Sequence, residues 1–250
     1  MRRHLKPYLH SDTNNHNIHK LLPKPNSQTQ TQKSFAMTSF TSFYKFWFLQ
    51  LKIMVKDLKE EHSHEGMEKV LRHHGEYYKE KWIAMNKDPL SMFTSPWNTN
   101  LERSLHWITG WRPTTAFHLI YTESSLLFET HIIDILHGLR TGDLGDLNPS
   151  QFRYMSDLQC DTVREENEIT EGLSEWQNSA SEMMGCEMEM KEKIRELILI
   201  IKRADDLRLK TLQGVVRLLS RQQAMEFLIA SGELLIGIHN WGLIHDSRRN

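Results

Sequence analysis

No proline occurs in residues 150–250, and this absence restricts the possible folds more than any other feature of the sequence. Strand signals are also missing: no sustained alternation of polar and apolar residues appears, and no Asn-Gly or Asp-Gly turn occurs. Apolar residues recur instead at spacings of three and four from residue 40 onward. The sequence therefore predicts an all-α protein, a single-domain bundle of about six or seven helices.

Several helix boundaries can be predicted from capping residues. A Ser, Thr or Asn followed three positions later by Glu or Gln marks a helix start, and this pattern occurs at residues 99–102, 148–151 and 220–223. Another long helix is predicted to open at Pro113, because proline is favoured in a first helical turn, and to end at Gly138.

Residues 1–38 differ in composition from the rest of the chain. They hold six Lys or Arg and one Asp, a net charge of +5; the whole chain has 31 basic and 32 acidic residues, so residues 39–250 hold 25 and 31, a net charge of -6. A polar segment without apolar periodicity cannot offset the entropy of ordering. We predict a disordered basic tail, followed by one domain over residues 39–250.

The origin of this tail has three interpretations. A dispensable or artefactual extension is favoured, with Met37 as an alternative start, while an organelle transit peptide for plastid or mitochondrion and a functional arm are less favoured. Residues 43–55 are strongly apolar, but two lysines and a glutamine interrupt thirteen residues where a membrane span needs about 20. We therefore predict an intracellular protein without membrane contact.

No established catalytic motif is present, and the protein is predicted not to be an enzyme. The glycines and aspartates of residues 142–146 favour a turn over a phosphate loop, because two carboxylates would repel phosphate. The histidines at residues 62–74 are interpreted as solvated residues at helix ends and not as a metal site. His131 lies on an apolar stripe and is interpreted as a core residue. The two cysteines exclude a disulfide-stapled scaffold.

The unusual residues cluster in one segment, where three tryptophans fall within fifteen positions. The candidate partner-binding residues are Trp97, Glu102, Arg103, Trp107, Trp111 and Arg112. Core packing is favoured for the aromatic rings, with Glu102 as a helix cap. The functional alternative is a binding surface, since Trp and Arg commonly anchor interfaces, and Arg112 paired with Glu102 would serve both purposes.

The string SPWNTNLERSLHWITGWRP, followed by FHLIYTESSLLFETHI, resembles the signature of the plant delay-of-germination family, also called the seed dormancy control domain. The later strings GDLGDLNPSQF and LQCDTVREENEIT resemble successive blocks of that family. The resemblance extends from residue 40 to the C-terminus. It implies a non-enzymatic regulator of seed dormancy or related plant development that binds signalling or transcriptional proteins in the nucleus or cytoplasm, with self-association possible.

The resemblance also carries alternatives. The same domain follows the basic leucine zipper of TGACG-motif-binding transcription factors, but no such zipper precedes residue 40, and a charge of -6 opposes phosphate contact, so direct DNA binding is disfavoured. The chain resembles the stand-alone dormancy-type members. Some members carry two histidines suited to haem iron on the last helix; the corresponding positions here are Leu235 and His239, so haem would need His245 or His131 as a partner. A fatty acyl chain between the helices is the other ligand that the resemblance suggests.

Overall fold

A computed structural model describes residues 27–180 and 187–248, and this part of the chain is helical without any β-strand. The helices are α1 (Ser27–Glu61), α2 (His64–Met85), α3 (Pro89–Thr94), α4 (Asn100–Ser104), α5 (Thr115–Thr130), α6 (Ile132–Leu136), α7 (Pro149–Ala180), α8 (Glu187–Leu218) and α9 (Arg221–Ser247). A single 3₁₀ turn lies at Leu144–Asp146. The predicted all-α fold is confirmed.

The six or seven predicted helices correspond to the six long helices of the structure. The hydrophobic periodicity did not identify α3, α4 and α6 as separate helices, because each is only one or two turns long. The segment predicted to be helical from Pro113 to Gly138 is divided between α5 and α6. His131 leaves helical geometry (φ -107°, ψ 15°), and its Nδ1 lies 3.1 Å from Asp143 Oδ2. The prediction of a core histidine was therefore wrong: the ring is one third exposed and faces a carboxylate.

Part of the predicted tail belongs to a helix, since α1 begins at Ser27. The prediction of disorder for residues 1–26 lies outside the described residues, as does Cys186. The division of the chain into a tail and a domain at residue 39 stays a prediction. Cys160 is a free thiol on the exposed side of α7.

Helices α7 and α8 form an antiparallel hairpin that packs onto the remaining bundle. Leu158 near the start of α7 meets Gly214 near the end of α8, and Trp176 Nε1 donates to Lys193 O, 2.6 Å away, at the opposite ends. The core contains side chains from six long helices, including the fully buried Leu51, Leu58, Met85, Phe117, Ile120, Met155, Leu197, Ile201, Phe227 and Leu228. A continuous apolar interior of this kind is the main stabilising contribution to the fold.

Two glycines allow α9 to approach its neighbours closely. A Cβ atom on Gly232 would lie 2.4 Å from Val55 Cγ2 on α1, and one on Gly242 would lie 2.2 Å from Thr99 Oγ1 at the start of α4. Gly237, between them, faces open space. The packing of α9 against α1 therefore depends on Gly232.

We predict that Gly232→Ala lowers the free energy of unfolding by about 1–3 kcal/mol, because the added methyl overlaps a β-branched side chain in the core. Gly237→Ala is the matched control on the same helix. It should leave stability unchanged or raise it by up to about 1 kcal/mol, because alanine favours the helix and meets nothing. Urea unfolding measures both, and equal midpoints for the two variants would contradict the packing.

Helix α9 is also long and apolar enough to cross a membrane, judged by length and mean hydropathy alone. Its first half contributes Phe227 and Leu228 to the core, whereas Trp241 and Ile244 in its second half are exposed. This helix was not predicted as a candidate span from the sequence, where residues 43–55 were the candidate. The absence of membrane contact stays a prediction.

Candidate functional site

The tryptophan-rich segment connects α3 to α5 and contains the short helix α4. The predicted capping box is present: Thr99 Oγ1 accepts a hydrogen bond from Glu102 N (3.2 Å), and Glu102 Oε2 accepts one from Thr99 N (2.7 Å). After α4 the chain forms a tight turn in which Trp107 N donates to Gly110 O at 2.7 Å. We call residues 103–112 the tryptophan loop.

The backbone of this loop is strained. Ile108 (φ 44°) and Thr109 (φ 64°) both lie in the left-handed region, which β-branched residues rarely occupy. Gly110 follows, and a Cβ atom there would lie 3.0 Å from Arg208 Nε and Cζ. Such a conformation persists only where the surroundings fix it.

A cluster of buried charges supplies that constraint. Lys81 of α2 and Arg208 of α8 each donate to Asp205 Oδ1, at 2.9 Å and 2.6 Å, and the three side chains are between 1% and 7% exposed. Burial lowers the pKa of Lys81 to about 8, although Asp205 opposes the shift. Two buried cations share one carboxylate, so further acceptors are needed to stabilise them.

The tryptophan loop provides these acceptors through its own backbone. Arg208 Nε donates to Trp111 O (2.6 Å), and its Nη2 donates to Ile108 O (2.8 Å) and also to Trp107 O. Lys81 Nζ donates to Thr109 Oγ1 at 2.8 Å. The buried cluster and the strained loop therefore hold each other in place. The cluster was not predicted from the sequence because Lys81 is 124 positions from Asp205.

Two of the predicted binding residues lie in the interior. Trp97 is 8% exposed, and its ring packs edge-on against Phe40 with centroids 4.6 Å apart. Glu102 accepts hydrogen bonds from Tyr44 Oη (3.1 Å) and from His239 Nδ1 (3.0 Å), beyond its role as a cap. Burial opposes ionisation of Glu102, but the bonds from His239 and Thr99 hold its pKa below the ordinary value. These residues support the loop from within.

The other four predicted residues reach the surface. Arg103 is exposed, as is the neighbouring Leu105 at 56%, while Trp107 and Trp111 are half-buried. Both indole N–H groups donate to hydroxyl groups on α7 and α2, so their orientations are fixed. Leu105 was not among the predicted binding residues, although it lies between Arg103 and Trp107 in the sequence.

Arg112 does not pair with Glu102, which faces α9. Its Nε donates to Glu166 Oε2 on α7 at 2.7 Å, and the same carboxylate accepts from Thr114 N at 2.7 Å. The Glu166 side chain is 1% exposed and that of Arg112 is 50% exposed. The loop is thus fixed to α7 by a buried carboxylate, and the terminal nitrogens of Arg112 form no hydrogen bond with a described residue.

Two cavities adjoin the loop. One, of about 120 Å³, is enclosed by aromatic and charged side chains that include the buried cluster. The other, of about 360 Å³, is mostly apolar and opens beside Arg112. Its lining includes Ala116, Leu119, Leu212, Phe227, Leu234, Leu235 and Ile238. Leu105 and Trp111 contribute to both cavities, so the loop forms part of the wall between them.

The residues present do not fit a haem group. Position 235 is leucine, so His239 lacks the second histidine of the pair that some family members carry on this helix. Of the alternative partners, His245 stacks on an exposed tryptophan and His131 pairs with an aspartate. The smaller cavity beside His239 is also well below the roughly 300–1,000 Å³ that small-molecule sites occupy.

The histidines of α2 were predicted to be solvated at a helix end, and two of them are not. His73 and His74 are buried, because His73 Nε2 lies 2.9 Å from Trp47 O and both rings contact the indole. No group of three or more metal-binding side chains that could hold an ion occurs within residues 27–180 and 187–248.

Stability is predicted to fall as the pH is lowered from 6.5 to 4. Burial, aided by His73, lowers the pKa of His74 from 6.5 to about 4, so the folded protein keeps this ring neutral while the unfolded chain takes up a proton. The contribution of His74 to this loss is about 3 kcal/mol. His74→Leu should flatten the pH dependence of the urea midpoint, whereas His64→Leu, at an exposed position, should not. Identical pH profiles for these two variants would contradict the assignment.

Comparisons with known proteins identify the class. The model of the seed dormancy control family matches residues 50–122. Protein DOG1-like 4 of Arabidopsis thaliana is 26% identical over 229 residues, covering 81% of this chain and 91% of the relative. Transcription factor TGA5 of the same plant is 31% identical over 174 residues, covering 70% of this chain and 50% of the factor. Transcription factor TGA2.3 of Oryza sativa subsp. japonica is 23% identical over 230 residues, which are 82% of this chain and 64% of the relative.

The chain belongs to the seed dormancy control domain family. Its relatives are dormancy-type proteins and transcription factors, which makes it a plant regulatory protein. The matched segment includes α2, the tryptophan loop and the start of α5, so the family signature coincides with the candidate site.

Proposed function

We propose that this protein is a non-enzymatic regulator that acts by binding signalling or transcriptional proteins through the tryptophan loop. The observation that carries the proposal is a strained loop that is fixed from below by a buried charge cluster. It exposes Arg103, Leu105 and Arg112, which flank the half-buried Trp107 and Trp111 in the sequence. Tryptophan, arginine and a neighbouring apolar cavity are typical of the anchoring region of an interface.

The rigidity of the tryptophan loop supports a binding role over a catalytic one. A loop whose backbone carbonyls are already hydrogen-bonded to Arg208 loses little entropy when a partner binds, and this preorganisation raises affinity. The carboxylates of Glu102, Glu166 and Asp205 beside the loop are all engaged in internal hydrogen bonds. They are therefore assigned to positioning the loop.

The relatives suggest where the protein acts. Two of those reported above carry the name of a transcription factor, which supports a role in transcriptional regulation in the nucleus, with the cytoplasm as the alternative. Direct DNA contact is disfavoured for this chain, because residues 39–250 carry a net charge of -6. Regulation through protein partners, which include a second copy of the chain, fits this charge better.

Affinity purification from developing seed, followed by quantitative mass spectrometry, tests the proposal. The variant Arg103→Glu with Leu105→Asp changes only exposed side chains and should lower the recovery of specific partners at least about ten-fold, since two interface side chains are lost and one charge is reversed. Leu199→Asp on α8 is the control, because Leu199 is 59% exposed and outside the loop. Equal recovery with both variants would contradict a role for the loop.

A second candidate function is the binding of an acyl chain in the larger cavity. The cavity of about 360 Å³ is lined mainly by apolar side chains and has Arg112 at its edge, which suits an apolar chain with an anionic end. Native mass spectrometry of the purified chain would detect a bound lipid. Leu119→Trp, which fills the cavity, should abolish that adduct, and its persistence would contradict this site.

A further inference from the structure

Helix α5 presents a stripe of uncharged side chains on the side that faces away from the core. Its members follow one another at spacings of four, three and four, so they lie on one side of the helix over about 16 Å. The α5 stripe consists of Thr115, Leu119, Thr122 and Leu126. The fully buried Phe117 lies on the opposite side of the helix. Leu126 is 55% exposed, so a large apolar side chain of the stripe lies in water.

The α5 stripe starts in the larger of the two cavities beside the tryptophan loop. Thr115 and Leu119 line this cavity of about 360 Å³, and Leu234 and Ile238 of α9 line it as well. Leu126 lies seven residues after Leu119, or about 10 Å further along the helix, and does not line the cavity. An apolar recess and an exposed leucine therefore lie on the same side of one helix, towards its opposite ends.

This arrangement is complementary to itself when two copies of α5 run antiparallel. A two-fold axis between Thr122 and Glu123 is equally far along the chain from Leu119 and from Leu126. It therefore places Leu126 of each copy opposite Leu119 of the other, beside the recess. The same contact forms twice, which is the property that an isologous interface requires.

The charged groups at the two ends of α5 support the antiparallel pairing. Arg112 precedes α5, and its terminal nitrogens form no hydrogen bond with a described residue. Asp134 lies in α6, which directly follows α5, and it is exposed without an ion pair to a described residue. Antiparallel helices bring the start of one α5 next to the end of the other. Arg112 and Asp134 of opposite copies therefore attract each other.

The edges of the stripe carry a favourable and an unfavourable contact. His118 and Glu129 are exposed on the same edge, and the pairing brings His118 of one copy within about 3 Å of Glu129 of the other, measured along the helix axis. On the other edge, Glu123 lies next to the two-fold axis and meets Glu123 of the second copy, which opposes pairing. The favourable contact forms twice and the unfavourable one once, so the edges do not oppose the dimer.

We propose that the protein forms a dimer in which the α5 stripes of two copies pack antiparallel and Leu126 of each copy enters the cavity of the other. A protein side chain would then fill that cavity in place of an acyl chain. Ile133 and Leu136 of α6, which are 67% and 78% exposed, would extend the apolar contact beyond Leu126. A stripe without charge gives no basis for a partner of opposite sign, whereas it satisfies the symmetry of a second copy.

Sedimentation equilibrium of the full chain measures the dissociation constant of the dimer. The wild type should show a monomer–dimer equilibrium in the micromolar range, as expected for a small interface. Leu126→Asp should weaken the dimer at least about 100-fold, because symmetry applies the change twice and each carboxylate would enter an apolar recess. Glu123→Gln should strengthen it about two-fold, because a repulsion is removed. Leu199→Asp on α8, at a leucine that is 59% exposed, is the control and should dimerise as the wild type does.

An engineered disulfide tests the register of the two helices. Thr122→Cys, in a chain whose native cysteines are replaced by serine, should cross-link two copies under mild oxidation. Position 122 lies next to the two-fold axis, where the Cα atoms of the two copies approach the roughly 7 Å within which a disulfide can form. Ser174→Cys, at an exposed position of α7, is the matched control and should cross-link at least about ten-fold more slowly.

A monomer at all concentrations, or the same dissociation constant for Leu126→Asp and the wild type, would overturn the proposal. Equal cross-linking rates for Thr122→Cys and Ser174→Cys would overturn it as well, because they would indicate a dimer formed by another surface. A monomeric wild type whose binding to phospholipid vesicles, or to a protein recovered from seed, depended on Leu126 would overturn it in favour of that occupant. Because Thr122 and Leu126 lie outside the tryptophan loop, a dimer lost in Leu126→Asp supports the proposal whether or not partner recovery depends on that loop.

Discussion

Replacing Arg208 with alanine is expected to lower the free energy of unfolding by about 3–5 kcal/mol, the largest effect of any single substitution outside the apolar core. The side chain is 1% exposed and donates to Asp205 and to three backbone carbonyls of the tryptophan loop. Its removal leaves those buried acceptors unsatisfied and releases the strained backbone at Ile108 and Thr109.

Thermal unfolding followed by circular dichroism measures this effect, with an expected drop in melting temperature of about 10 °C. Arg164→Ala is the matched control, because Arg164 forms an exposed ion pair with Asp161 within α7 and should change stability by less than about 0.5 kcal/mol. If the two variants melted at the same temperature, the buried cluster would not be the support of the loop.

Replacing Glu166 with alanine is the second large effect, an expected loss of about 2 kcal/mol. The carboxylate is buried and accepts hydrogen bonds from Arg112 Nε, Thr114 N and Thr114 Oγ1. Without it, the amide at the start of α5 loses its partner, whereas the half-exposed Arg112 can still be solvated, which limits the cost.

The adjacent Glu165→Ala provides the control for Glu166→Ala. Glu165 pairs with Lys210, and since the lysine side chain is 61% exposed the pair contributes less than about 1 kcal/mol. Chemical denaturation should therefore give clearly different free energies of unfolding for the two variants. Equal free energies of unfolding would mean that Glu166 does not anchor the loop to α7.

The local features of the fold were predictable because short-range interactions determine them. The capping boxes at residues 99–102 and 220–223 depend on side chains three positions apart, and the structure contains both. The helical period likewise located the long helices. By contrast, the end of α5 at Thr130 was not predictable, since it depends on a tertiary contact: Gly145 packs so closely on α5 that a Cβ atom there would lie 2.8 Å from Phe128 N.

The candidate site was predicted only in part, and the missing part is long-range. The aromatic and basic residues of the tryptophan loop could be selected by type, but Lys81 and Arg208 lie far from them in sequence. The pairing of Arg112 with Glu166 crosses 54 positions, so no local pattern indicates it. Lys81 and Arg208 appear on helical stripes where charged residues usually face solvent, and burial alone reveals their role.

Hydrogen exchange of the chain alone and in complex with a partner recovered from seed tests the central claim most directly. We expect the amides of Leu105, His106 and Trp107, which donate to backbone carbonyls, to exchange slowly in the free chain, and the amides of residues 103–112 to become more protected when the partner is bound. Fast exchange of those three amides in the free chain, or a complex in which protection appears only elsewhere in the bundle, would contradict a preformed binding loop.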